Sequence, residues 1–126
     1  MLRLFRKPPK LEAVFRPRIA VARELSREIE VAGELALRNV GRDAELSQLE
    51  LVLIAGGTRR IDLALPDAWR GRVKVPGGGE LREQVAWRIT LAAPMRAPAA
   101  EIQVNTTEGG KLQPLAVTPA FPLGNE

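Results

Sequence analysis

Residues 27 to 40 read REIEVAGELALRNV, and this stretch decides the fold. Ile29, Val31, Leu35 and Leu37 share one parity, while Glu28, Glu30, Glu34 and Arg38 share the other. An alternation of period two means a strand with one face on a core and the other in water. Gly33 falls on the apolar parity, where a missing side chain marks a bulge or a close backbone approach.

The same reading extends outward. Upstream, RIAVAREL places Ile19, Val21 and Leu25 on one parity, with Arg23 breaking it, and predicts a strand from Arg18. Downstream, Asn39 to Asp43 is a turn cluster, and AELSQLELVLI resumes with Leu49, Leu51 and Leu53 in phase. Leu46 is out of phase, which predicts a bulge near Ser47-Gln48. Gly56-Gly57 ends that strand. RRIDLAL continues through Ile61, Leu63 and Leu65 to Pro66-Asp67, and a short GRVKV follows.

In ELREQVAWRITL the apolar parity holds Leu81, Val85, Trp87, Ile89 and Leu91, opposite Arg82, Gln84, Arg88 and Thr90. Trp87 is therefore expected in the core, and Trp69, after Pro-Asp, as a partly buried loop aromatic. AAPMRAPAA reads as a loop. EIQVNTT, with Ile102, Val104 and Thr106, and KLQPLAV supply the last strands. No window sustains the i, i+3, i+4, i+7 pattern of an amphipathic helix. Short strands between Gly, Asn and Pro turns predict an all-β chain, a single antiparallel β-sandwich of seven or eight strands of immunoglobulin/arrestin-like type, with a closed barrel as the alternative.

At 126 residues the chain fits one domain. Residues 1 to 18 carry six basic residues against Glu12, giving +5 of the net +4, so the remainder is slightly acidic. The expected organisation is a basic N-terminal arm over 1–17, a sandwich domain over 18–119 and a tail over 120–126. MLRLFRKPPK breaks its apolar start with Arg3, Arg6, Lys7 and a proline pair, so no signal peptide is expected, and the chain is assigned to the cytoplasm.

The chain has no cysteine and no histidine. That removes disulfides, thiolate zinc sites, cysteine nucleophiles and the imidazole base of ordinary triads. No catalytic residue, cofactor or metal is expected, and the chain is read as not an enzyme.

Three features invite a site. VPGGGE (75–80) resembles a phosphate cradle, but it lacks the G-K-[ST] and G-x-G-x-x-G spacings and leads into a strand pattern, so it reads as a turn between antiparallel strands. Glu28, Glu30 and Glu34 could gather around calcium, but a solvated face paired with cations of neighbouring strands is the expectation. Asn105-Thr106-Thr107 matches a glycosylation acceptor, which has no meaning in a cytoplasmic chain. The candidate contact residues are instead in the arm. Leu2, Leu4 and Phe5 stand among Arg3, Arg6, Lys7 and Lys10, a composition suited to an anionic membrane surface or another anion.

VPGGGELREQVAWRITLAAP, followed by EIQVNTTEGG and LAVTP, resembles the arrestin-like half-domain of bacterial sporulation-control proteins, as do EVAGELALRN and AELSQLELVL upstream. The resemblance covers residues 18 to 119. It departs at the corner Leu91-Ala92-Ala93-Pro94, which carries two additional alanines, and in offering one sandwich where arrestin-like proteins have two. It implies a non-catalytic adaptor or regulatory module with a protein partner. The alternative is a nucleic-acid-associated accessory protein using the basic arm.

Overall fold

The computed structural model describes residues 10 to 126, apart from the Glu108 side chain. It is all β, with eleven strands: β1 (Leu11–Arg23), β2 (Glu28–Asn39), β3 (Ala44–Leu46), β4 (Leu49–Ala55), β5 (Arg59–Leu63), β6 (Val73–Val75), β7 (Glu80–Thr90), β8 (Ala99–Thr106), β9 (Gln113–Val117), β10 (Phe121–Pro122) and β11 (Gly124–Asn125). They form a four-stranded sheet β11-β1-β2-β7, a five-stranded sheet β10-β8-β4-β5 with β9 also on β8, and a two-stranded sheet β3-β6. This differs from seven or eight strands in one antiparallel arrangement: there are three sheets, and β11 runs parallel to β1.

One apolar core takes side chains from every sheet: Leu35, Leu37 and Trp87 from the four-stranded sheet, Leu51, Leu53 and Ile102 from the five-stranded one, and Leu46 and Val75 from the small one. Phe15 links the layers, its ring 5.0 Å from Phe121 on β10 and 6.5 Å from Trp87 on β7. Trp69, expected to be partly exposed, is 1% exposed, because a 3-10 turn at Asp67–Trp69 tucks it into the core.

The expected arm and tail are shorter than drawn. β1 begins at Leu11, so residues 11 to 17 belong to the sheet, paired with β2 from Leu11↔Asn39 onward. Phe15 and Ala13 are buried there, which the proline-flanked, basic composition concealed. The supposed tail supplies β10 and β11, and Phe121 and Leu123 are core residues.

The register of β1 slips at Arg18, between Pro17↔Gly33 and Ile19↔Ala32. Gly33 sits opposite this bulge, where a Cβ would lie 2.1 Å from the Arg16 carbonyl oxygen. The bulge reverses the parity of β1. Beyond it Ala20 and Ala22 share registers with the core residues Val31 and Ile29, whereas Ile19 and Val21 share the outer face with Ala32 and Glu30. Leu25 lies exposed in the four-residue turn that joins β1 to β2.

At Ser47-Gln48 the chain does more than bulge. Gln48 takes a φ of 51°, and the strand leaves the β3-β6 sheet for the five-stranded one. β5 ends at Leu63, before Leu65.

Candidate functional site: the outer face and free edge of β7

The three glycines connect β6 to β7, two strands of different sheets, so they form a turn but not a hairpin. Their amides are all taken. Gly77 N–H donates to Asp43 Oδ1 (2.8 Å), Gly78 N–H to the Asn39 carbonyl (2.8 Å) and Gly79 N–H to the Pro76 carbonyl (2.8 Å). A phosphate cradle needs converging unpaired amides, and this loop presents none.

Asn39, 1% exposed, organises that end of the molecule. Its Nδ2 donates to the carbonyls of Arg42 (2.6 Å) and Val75 (2.8 Å), and its Oδ1 accepts from Gly41 N–H (2.9 Å). A strand-terminal asparagine thereby stitches the turn after β2 to the one before β7.

On the outer face of the four-stranded sheet, charge alternates from strand to strand. Arg23 on β1 stands in register with Glu28, Arg88 on β7 with Glu30, and Arg16 with Glu34. Arg23 Nη1 reaches Glu28 at 3.0 Å and Glu30 at 2.9 Å, and Arg88 reaches Glu30 at 3.1 Å and Glu28 at 3.6 Å. Arg82 lies 3.7 Å from Glu34 and also pairs with Glu80. At the end of the sheet the signs reverse, with Glu12, Arg38 and Glu80 in one row and Arg38 3.8 Å from Glu80.

The three carboxylates thus form the cation-paired face anticipated from sequence, and no group able to hold a metal occurs among the described residues. Hydrogen bonds from Arg23 and then Arg88 hold the Glu30 carboxyl below its usual pKa, against the opposing effect of desolvation. Arg23 is correspondingly raised, chiefly by its bond to Glu30. A groove of about 530 Å³ runs between Arg16, Glu34, Arg38 and Arg82 to the glycine turn.

β7 is the edge of this sheet. Leu91 N–H donates to the Arg27 carbonyl (2.7 Å) and Asn39 N–H to the Gly79 carbonyl (2.9 Å), so hydrogen-bonded pairs bracket the β2–β7 ladder at both ends. Antiparallel pairs alternate, which assigns the bonds to Leu81, Glu83, Val85, Trp87 and Ile89. The N–H and C=O groups of Arg82, Gln84, Ala86, Arg88 and Thr90 therefore point away from β2, toward an edge that no strand of the described residues occupies.

The other edges are blunted. β1 carries Pro17, the Arg18 bulge and, over Val21 and Ala22, the short β11. β9 is five residues long with Pro114 and a register shift, and β5 is five residues long. Such devices discourage strand addition. β7 has eleven residues in unbroken register with β2 and contains neither proline nor glycine; its one protective device is Glu83 on the inward parity.

Of the arm residues singled out as contacts, Leu2, Arg3, Leu4, Phe5, Arg6 and Lys7 lie outside the described residues. Lys10 is exposed, and its carbonyl accepts from Val40 N–H at 2.9 Å. Sequence reasoning missed the β7 edge as a site because alternation shows which face is wet but not which strand lies outermost.

No family model matches the chain, and no curated protein does. Among solved structures, these are similar in fold. A Bordetella pertussis protein assigned as ApaA superposes with a TM-score of 0.56 at 15% identity, over 94% of this chain and 96% of that one. The structural-genomics target SoR45 gives 0.54 at 10% identity, over 92% and 87%. The alkylpurine DNA glycosylase AlkC of Pseudomonas fluorescens, bound to DNA containing an abasic-site analogue, gives 0.50 at 10% identity. The match covers 93% of this chain but 31% of the glycosylase. At these identities the likeness is one of fold alone.

Proposed function

We propose that the chain is a non-catalytic protein-interaction or regulatory module, an immunoglobulin/arrestin-like sandwich that engages its partner through the free edge of β7. The observation that carries this reading is an unbroken edge of eleven residues beside edges blunted by proline, bulge or brevity. The lack of histidine and cysteine supports a binding role over a chemical one. The reading places the protein in the cytoplasm, with Leu2 to Lys7 and Lys10 available to an anionic inner-membrane surface.

The test is affinity purification of the full chain from its native cell after nuclease treatment, beside the Ala86→Pro variant. Ala86 is exposed and its N–H points off the sheet, so proline there obstructs strand addition without removing a bond to β2. A partner retained by the native chain and lost by the variant supports the reading, and equal retention by both overturns it.

One observation favours a second reading, contact with nucleic acid. Arg16 and Arg18 are exposed at the β1 bulge and have no ion pair among the described residues, and they follow closely on the basic arm. Duplex binding with a steep salt dependence that is lost in an Arg16→Ala/Arg18→Ala variant would establish it.

A further inference from the structure

We infer that the partner seated on β7 is an extended strand presenting two carboxylates on one face, six residues apart, opposite Arg82 and Arg88; the inference rests on the interaction reading above.

Charge complementarity selects this occupant. Across the outer face, apart from the reversed row of Glu12, Arg38 and Glu80 at its end, the columns run basic on β1 (Arg16, Arg23), acidic on β2 (Glu28, Glu30, Glu34) and basic on β7 (Arg82, Arg88). Opposite charges directly across a strand pair stabilise it, and like charges oppose pairing. The next column in the series is acidic. Arg88 is already bonded to Glu30 on β2, and Arg82 to Glu80 of its own strand with Glu34 3.7 Å away, yet the side chains of Arg82 and Arg88 are 53% and 65% exposed, which leaves guanidinium donors on the outer side.

The backbone repeats the same period. The residues that present N–H and C=O groups to the edge are those whose side chains stand on this outer face, so one added strand meets donors, acceptors and cations in a single register. Between the arginines lie Gln84 and Ala86, neutral and exposed, which suit small polar residues on the partner. On the inward parity Glu83 is half-exposed and carries no ion pair among the described residues. It bars an all-apolar strand from extending the core and calls for a polar residue opposite it.

A second copy of this chain fits poorly. Paired antiparallel with itself about Gln84, β7 would set Glu80 opposite Arg88 but leave each Arg82 opposite Ala86 with no carboxylate across the seam and place each Glu83 opposite Val85.

The experiment uses the full chain and a capped nine-residue peptide, TVEVTVTTE, with its charge-reversed counterpart TVKVTVTTK. Backbone amide exchange is followed by NMR. In the free protein the N–H groups of Arg82, Gln84, Ala86, Arg88 and Thr90 exchange fast, and those of Leu81, Glu83, Val85, Trp87 and Ile89 slowly. The glutamate peptide is expected to protect the first set, to bind at least about fivefold more tightly than the lysine peptide, and to weaken as salt is raised. Gln84→Lys, which lengthens the basic column, should tighten it by about two- to fivefold.

Equal or stronger binding of the lysine peptide overturns the carboxylate assignment. So does failure of both peptides while Ala86→Pro still releases a cellular partner, and in these two cases the edge reading survives. Protection of the five amides that grows with protein concentration, without peptide, overturns it in favour of a second copy. If Ala86→Pro does not fold, Gln84→Lys alone decides: no change in peptide affinity overturns the proposal.

Discussion

The indole N–H of Trp87 donates to the carbonyl oxygen of Ala64 over 2.8 Å, fastening the edge strand β7 to the segment that leaves β5. The open strand is thus held at its middle by a buried ring, while its outer backbone groups stay free. Trp87→Ala is expected to destabilise by about 3–5 kcal/mol, as other large truncations in cores do. Trp87→Phe, which keeps most of the ring and loses the donor, should cost about 1–2 kcal/mol, and Arg88→Ala on the opposite face should stay within about 0.5 kcal/mol. Urea denaturation of the three variants checks the order.

Gly33 and Gly57 separate two reasons for glycine. A methyl at Gly33 would meet the Arg16 carbonyl oxygen at 2.1 Å, whereas at Gly57 it meets nothing within 4 Å but sits on a φ of +81°. Gly33→Ala should cost at least about 2 kcal/mol through forced movement of β1. Gly57→Ala should cost only about 1–2 kcal/mol of left-handed strain. Equal thermal midpoints would contradict the register of the bulge.

Asn39→Ala removes two donors and an acceptor from a buried knot and leaves the Val75 and Arg42 carbonyls and the Gly41 amide without their partner. At about 1–3 kcal/mol for a buried group left unpaired, the loss should exceed that of most single substitutions. Amide exchange should accelerate in both turns at once.

Asn105 is the converse case, 0% exposed with neither side-chain polar atom hydrogen-bonded among the described residues. Asn105→Leu, similar in shape, should raise stability by about 1–2 kcal/mol. A fall in the denaturation midpoint would show that the amide has a partner in solution.

Acid should loosen the outer face. The Glu30 carboxyl is held below its usual pKa in the fold by Arg23 and Arg88, so it binds its proton more readily when unfolded. The stability it supplies is complete above the unfolded value of about 4.3 and is lost as pH falls through the lower folded value. Glu30→Gln should flatten the acid limb of midpoint against pH and leave the neutral limb parallel to the native curve.

The parts of the fold legible in the sequence are those with one wet face. β2 and β7 alternate in sequence because Arg82 and Arg88, exposed, and Glu28 and Glu30, half-buried by their ion pairs, stand on the face opposite Ile29, Val31, Val85 and Trp87. β1 hid its start because Pro17 and the Arg18 bulge break the alternation midway, so that its two halves expose opposite parities. β10 and β11, at two residues each, are too short to carry a period. The glycine turn was readable as a turn, since its context lacks a following helix, but its anchoring by Asn39 and Asp43 is a long-range pairing that no local pattern announces. The charged rows were visible as faces; their order across the sheet depends on β7 docking beside β2.

That docking bears on how the chain assembles. β1 and β2 are joined by four residues and zip locally into a hairpin, whereas β7 pairs with β2 only after the whole stretch from Val40 to Gly79 has closed a loop. Non-local pairing of this kind is slow. Until it happens β2, the most deeply buried strand of its sheet, has one side open, and β7 arrives as its cover. Conditions that delay this step should therefore favour clumping of the refolding chain, even though the finished molecule shows solvent an edge of a quite different character.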